Sequence, residues 1–114
     1  TGVQTCALPI SMNTAQLLAL HDKVTTEAKN ILTTKVRNYS GEGDAYTNFR
    51  RVEDLQICSV PTGILARISD KLGRLITHCN HDGLVGDESF EDSIIDIINY
   101  LVFLQGSVQR ETDD

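Results

Sequence analysis

The sequence predicts an all-α protein, a compact antiparallel bundle of about four helices. Four segments space their apolar residues three and four positions apart, which is the period of a helix with one buried face. Polar or glycine-containing stretches separate these segments, and short connections favour antiparallel neighbours. Residues 56–60 could be extended, but no other segment offers a partner strand. These observations together predict helices packed on helices.

The first predicted helix covers residues 13–38, and a short second helix follows it. Asn13 or Thr14 can cap the first helix, because a short side-chain oxygen accepts a free amide hydrogen there. The glycine-containing stretch at residues 40–43 ends its pattern. The second helix is predicted over residues 44–55, with Asp44 as its N-cap.

Two longer helices are predicted in the second half of the chain. The third begins around Pro61 and reaches about Cys79, and a loop with two glycines follows it. The fourth runs from the cap Asp87 to about Gln105, and residues 106–114 are predicted to be a polar tail that frays. The inward residues predicted for the third helix are Ile64, Leu65, Ile68, Leu72, Leu75 and Ile76. The apolar arc of the fourth consists of Phe90, Ile94, Ile95, Ile97, Ile98, Leu101 and Val102.

The composition limits the class of the protein. A chain of 114 residues has room for one domain. Sixteen acidic residues against ten Lys and Arg give a net charge of −6, which argues against binding of nucleic acid through bulk positive charge. No apolar run approaches the roughly 18 residues of a membrane span, and three cysteines do not make a disulfide framework. We therefore expect an intracellular protein with no membrane partner.

The first eleven residues are set apart from the rest of the chain. Residues 1–10 carry no charge and no periodicity, and they lack the basic region and long apolar core of a signal peptide. They resemble the conceptual translation of a sequencing adapter, so we predict a natural start at Met12. A disordered natural tail is the other interpretation. In either case the predicted domain is residues 12–105.

One stripe of the fourth helix carries carboxylates without a compensating cation. At about 100° per residue, Glu88, Asp92, Asp96 and Asn99 share one narrow face. The helix dipole explains acidic residues in the first turn, but it does not explain Asp96 in the middle of the helix. Carboxylates at this spacing suit a hard cation such as Mg²⁺. The stripe therefore predicts either a solvated face or a metal site, which Asp70 of the third helix would complete.

The third helix presents a matching basic stripe. Arg67, Asp70, Lys71, Arg74 and His78 project from one side, next to the apolar residues. Such cations either pair with the acidic helix or bind phosphate. The two interpretations are compatible, because a metal ion held by carboxylates next to cations makes a polyphosphate site.

The first connection adds groups that can recognise a base. Lys35, Asn38 and Tyr39 precede its glycines, and Asn48 and Phe49 follow them. An aromatic ring can stack on a base, and an Asn side chain can form paired hydrogen bonds with a base edge. Phe49 keeps the register of the apolar side of its helix, which favours a core position. For Tyr39 and Tyr46, which lie before and after the glycines, a core position and contact with a base both stay open.

The order of these motifs resembles a known family. The blocks are KVRNY at 35–39, DAYTNFRRV at 44–52, RISDKLGRL at 67–75 and DESFEDSIIDIINY at 87–100. They resemble the nucleotide modification associated domain 1 family of phage and bacterial genomes, which is similar to the MazG-like all-α nucleoside triphosphate pyrophosphatases. The resemblance implies a MazG-like bundle that binds nucleotides through Mg²⁺ and forms a homodimer or a higher homo-oligomer. A phage-encoded member would act in the host cytoplasm.

The resemblance also assigns roles to individual residues. MazG-like enzymes hold the metal with two acidic patterns. Asp92 fits the second of them. Ser89 stands where that pattern has a Glu, and Glu88 would take the place of that Glu. The first acidic pattern is absent, and the third helix offers Arg67 and Lys71 in that region. Together with the acidic stripe of the fourth helix and Asp70 of the third, this assigns metal binding to Asp70, Glu88, Asp92 and Asp96.

Three hypotheses about function follow. The first is a Mg²⁺-dependent nucleoside triphosphate pyrophosphohydrolase, or an accessory factor in nucleotide modification, with Glu88 and Asp92 as catalytic residues. The second is a non-catalytic module that sequesters a nucleotide, such as a signalling nucleotide. The third is a bundle whose charged stripes only pair with each other at a subunit interface. The residues expected to contact a nucleotide are Lys35, Asn38, Tyr39, Asn48, Arg67, Lys71 and Arg74.

Overall fold

The helical spacing of the sequence produces four α-helices in the computed structural model. The structure describes residues 11–40, 44–80 and 90–113. The helices are α1 (Thr14–Ser40), α2 (Thr47–Asp54), α3 (Val60–Asn80) and α4 (Phe90–Asp113). No strand occurs in these described ranges, so the predicted all-α bundle is confirmed.

Side-chain hydrogen bonds fix the beginnings of α1 and α3. Asn13 Oδ1 accepts the backbone N–H of Gln16 at 2.8 Å, and Gln16 Oε1 accepts the backbone N–H of Asn13 at 2.9 Å. This reciprocal pair is a capping box, and it identifies Asn13 as the N-cap. At α3, Ser59 Oγ accepts the backbone N–H of Thr62 at 3.3 Å. Pro61 therefore lies in the first helical turn, where its missing N–H costs nothing.

Two predicted helix boundaries differ from the structure. Asp44 is not the N-cap of α2, because its carboxylate accepts the N–H of Tyr46 in a turn that precedes the helix. α4 does not end near Gln105, and its helix includes residues 106–113 of the predicted tail. The extension is held by packing, since Ser107 is buried and the backbone at Gly106 lies directly against the hydroxyl of Tyr46.

The core lies where α2, α3 and α4 meet. Its buried members are Phe49 of α2 and Val60, Ile64 and Ile68 of α3. Their partly buried neighbours are Tyr46, Ile97, Tyr100, Phe103 and Leu104. The burial of Phe49 confirms its predicted core position.

α4 runs antiparallel to both long helices. Phe90 at its start contacts His78 near the end of α3. On its other side, buried Asn99 donates from Nδ2 to the backbone oxygen of Ala28 at 3.0 Å. Ala28 is itself buried, and its small side chain allows α1 and α4 to approach closely. Asn99, which shares the predicted acidic stripe, therefore joins two helices.

Several apolar residues predicted to face inward are exposed. Leu65, Leu72 and Ile76 of α3 have between 46% and 60% of their surface exposed, and Leu101 and Val102 of α4 are similar. These side chains stay exposed because the contacts of α1 with α4 and of α2 with α3 do not cover them. Within the described residues, none of the helices combines the length and the hydropathy that a membrane span requires.

Candidate functional site

A cleft of about 340 Å³ opens between the four helices. This volume lies within the usual range of small-molecule sites. Polar residues line the cleft from α4 and from the three other helices, which contribute Lys35 (α1), Asn48 (α2) and Arg67 (α3). The full lining is Leu32, Lys35, Val36, Ala45, Asn48, Phe49, Arg67, Asp96, Asn99, Tyr100 and Phe103. The bundle thus brings together three of the residues predicted to bind a nucleotide.

Aromatic rings form the apolar part of the cleft. Phe49 packs edge to face against Phe103, with ring centroids 4.9 Å apart, and against Tyr100 at 6.2 Å. Tyr46 supports Phe103 from behind, because its hydroxyl donates to the Phe103 backbone oxygen at 2.8 Å. The guanidinium carbon of Arg67 lies 5.8 Å from the centroid of the Phe49 ring. The rings are thus held in place by the core and by a cation at the cleft wall.

The carboxylate of Asp96 joins three helices at the cleft. Its Oδ1 accepts from Lys35 Nζ of α1 at 3.1 Å, and its Oδ2 accepts from Lys71 Nζ of α3 at 2.9 Å. The side chains of Asp96 and Lys71 are each 14% exposed, whereas that of Lys35 is 48% exposed. Burial acts to raise the pKa of Asp96, but the hydrogen bonds and charges of Lys71 and Lys35 outweigh it and lower the pKa.

A second cavity of about 330 Å³ adjoins the cleft. Arg67 and Tyr100 line both spaces and therefore lie between them. The lining of the second cavity is Ala66, Arg67, Asp70, Lys71 and Tyr100. The two cavities are lined by three cations, Lys35, Arg67 and Lys71, and by two carboxylates, Asp96 and Asp70. This region is therefore cationic, although the whole chain has a net charge of −6.

The predicted metal ligands do not come together in the described part of the chain. Asp96 is bound to two lysines, Asp70 lines the second cavity, and Asp92 is exposed in the first turn of α4. No three His, Cys, Asp or Glu residues among those described are arranged to hold a metal ion. Glu88 lies outside the described residues, so the Mg²⁺ site and the catalytic pair of Glu88 and Asp92 stay predictions.

The remaining predicted nucleotide contacts are only partly placed. Arg74 is exposed on α3 and lines neither of the two cavities. Asn38 and Tyr39 belong to the last turn of α1, but their side chains lie outside the described residues.

Sequence reasoning missed two aromatic residues of the cleft. Tyr100 and Phe103 were not predicted as site residues, yet both line it. The signal was their spacing, because they follow Asp96 by four and seven positions and so lie on the same face of α4.

The geometry has to be interpreted from the chain's own residues. Comparisons with protein-family models, with curated proteins and with solved structures found no match to this chain.

Proposed function

We propose that this protein binds a nucleotide in the cleft between its four helices. The observation that carries the proposal is the combination of aromatic rings with cations in one concave site. A nucleotide pairs a planar base with an anionic phosphate group, and each part has matching chemistry here. The resemblance of the motifs to a family associated with nucleotide modification supports the same class of ligand.

Each group of lining residues has a role in this proposal. Phe49 and Tyr100 provide apolar surface for the base, and the amide of Asn48 forms hydrogen bonds with its edge. Lys35 of α1 and Arg67 of α3 bind the phosphate group.

The outer parts of the site extend this arrangement. Lys71 lines the adjoining second cavity, and the exposed Arg74 follows Arg67 further along the same helix. Asn38 and Tyr39, which follow Lys35 at the end of α1, stay proposed contacts of the nucleotide.

Hydrolysis of a nucleoside triphosphate with Mg²⁺ is the second candidate. The acidic spacing of α4 favours it, with Glu88 and Asp92 as catalytic residues and Asp70 and Asp96 as further metal ligands. Binding without cleavage has more support, because both oxygens of Asp96 already accept hydrogen bonds from lysines. Sequestration of a nucleotide, or presentation of one to a modifying enzyme, would need no chemical step.

Thermal melting with a panel of nucleotides, with and without Mg²⁺, tests the proposal. A ligand at about one hundred times its Kd stabilises the folded state by about 2.7 kcal/mol. We expect the Tm to rise by roughly 10 °C or more for the preferred nucleotide. A shift without metal and without product on chromatography indicates a binding module, whereas turnover that requires Mg²⁺ indicates the enzyme.

A matched pair of arginine variants makes this test specific to the cleft. We expect Arg67→Gln to lose most of the shift, measured from its own Tm without ligand. Arg51→Gln removes the same charge from an exposed position of α2 that does not line the cleft, and it should keep the shift. If no nucleotide shifts the wild-type Tm, the proposal is wrong.

We also propose that the chain assembles as a homodimer through the outer face of α3 and α4. This face consists of apolar residues of the two helices that the rest of the described chain leaves exposed or partly exposed, and these are Leu65, Leu72, Ile76, Ile98, Leu101 and Val108. In each helix they recur at intervals of three, four or seven positions, which is the spacing of interhelical packing. None of them is charged, so two acidic copies can meet here with little repulsion. A second copy supplies the same spacing and would complete a four-helix interface.

A further inference from the structure

We propose that Lys35 moves from Asp96 to the anionic group of the ligand, while Lys71 stays with Asp96 as its structural counterion. The inference rests on the proposed function and deepens it, because it gives different roles to two lysines that the sequence alone assigns to the same role, contact with a nucleotide. The anionic group of the ligand is a phosphate ester or another oxyanion with two or more negative charges.

The two lysines that bind Asp96 differ in their surroundings. The Lys35 side chain is 48% exposed and lines the cleft, whereas the Lys71 side chain is 14% exposed. Lys35 is therefore the partner that water, and a ligand, can reach.

This asymmetry makes release of Lys35 inexpensive. An ion pair with one solvent-exposed partner is partly screened, and the flexible Lys35 side chain must be ordered to form it, so the pair contributes less to stability than a fully buried one. A buried carboxylate without any partner would be strongly destabilising. Asp96 avoids that state because Lys71 still binds its other oxygen after Lys35 has left.

The position of Arg67 indicates where the anionic group binds. Lys35 on α1 and Arg67 on α3 line the same cleft, and no described carboxylate lies within ion-pair distance of Arg67. An oxyanion between them would join α1 to α3, as the Asp96 carboxylate does in the absence of ligand. A group with two or more negative charges competes better for Lys35 than the single charge of Asp96.

Matched lysine variants test this division of roles. The probes are ATP and inorganic tripolyphosphate, with Kd measured by calorimetry and Tm by thermal melting. We expect Lys35→Gln to weaken the binding of both probes at least tenfold, as loss of a charge-assisted hydrogen bond does, with little change in Tm. Lys71→Gln should instead lower the Tm by roughly 5 °C or more. Lys29→Gln, on an exposed part of α1 that does not line the cleft, should change neither.

Two Asp96 variants separate an exchange of partners from a fixed structural role. Asp96→Asn should bind tripolyphosphate several-fold more tightly, because the competing partner of Lys35 is removed. Adding Asp96→Asn to Lys71→Gln should restore part of the lost Tm, because a neutral amide does not need the less exposed of the two counterions. A purely structural Asp96 would give no gain in affinity.

The outcomes distinguish this inference from the proposed function. If tripolyphosphate binds but no nucleotide does, the nucleotide proposal fails and the role of Lys35 is still measured. If ATP binds and Lys35→Gln binds it as well as wild type, the inference is wrong and the nucleotide proposal stands. Loss of binding in Lys71→Gln without loss of Tm would also overturn the inference.

Discussion

At the scale of single residues, Asp96 illustrates how context changes the role of a carboxylate. Its four-residue spacing from Asp92 predicts a metal ligand or a solvated face. In the folded chain its two oxygens accept hydrogen bonds from lysines of two other helices. The spacing gives its position on α4, but which cations meet it depends on how α1 and α3 pack. No local pattern contains that information.

The lowered pKa of Asp96 predicts a pH-dependent stability. The folded state holds this pKa below the ordinary value of 3.8, so the ionised carboxylate stabilises the fold above that value. This contribution is lost as the pH falls from about 4 through the lowered pKa. We expect Asp96→Asn to be less stable than wild type at pH 7 and the difference to shrink toward pH 2. Urea denaturation at several pH values measures it, with exposed Asp22→Asn as the control. A difference that is constant with pH would contradict the assignment.

Gly106 is a second position at which the surroundings decide the effect of a substitution. A Cβ at this position would collide with the hydroxyl of Tyr46, which donates to Phe103. We expect Gly106→Ala to destabilise the fold by about 1–3 kcal/mol. Gly73→Ala is the matched control, because nothing lies within 4 Å of its added Cβ, and it should stabilise α3 by about 0.5–1 kcal/mol. Thermal melting compares the two, and equal effects would contradict the packing of α4 on Tyr46.

At the scale of elements, local signals predicted the helices well and their ends less well. Periodicity locates all four, and the capping pattern at Asn13 marks the first residue before α1. The extension of α4 past Gln105 could not be predicted, because residues 106–113 are mostly polar and their helix is stabilised by contact with Tyr46. A helix end that depends on a distant side chain leaves no local signal.

The end of α2 yields a prediction about one backbone conformation. Gln56 has a positive φ of 62°, and the N–H groups of Gln56 and Ile57 donate to the oxygens of Glu53 and Val52. This is a Schellman motif, whose left-handed position favours glycine. We expect Gln56→Gly to raise the free energy of unfolding by up to about 1 kcal/mol, since it removes the steric cost of a side chain there. Gln105→Gly, in the interior of α4, should have the opposite effect, and urea denaturation measures both. A loss of stability in Gln56→Gly would show that its side chain has another role.

At the scale of the whole molecule, the sequence predicted which residues share a helix face but not which faces the bundle covers. Lys35, Asn48 and Arg67 are assigned to a nucleotide from their motifs, and the packing of three helices places them in one cleft. The exposure of Leu72 and Ile76 was not predicted, since an apolar stripe looks the same whether its own chain or another copy covers it. Tertiary packing, which has no local signature, makes that choice.

The proposed dimer gives the prediction that belongs to this scale. We expect light scattering during gel filtration to give a mass of twice the 12.6 kDa chain for wild type. Leu72→Glu places a charge in the middle of the outer face, so it should weaken dimerisation at least tenfold while the helical circular dichroism is retained. Leu18→Glu is the matched control, because Leu18 is also an exposed leucine, lies on α1 and is outside that face. A monomeric wild type, or a Leu72→Glu variant that dimerises as wild type does, would show that the outer face is not the interface.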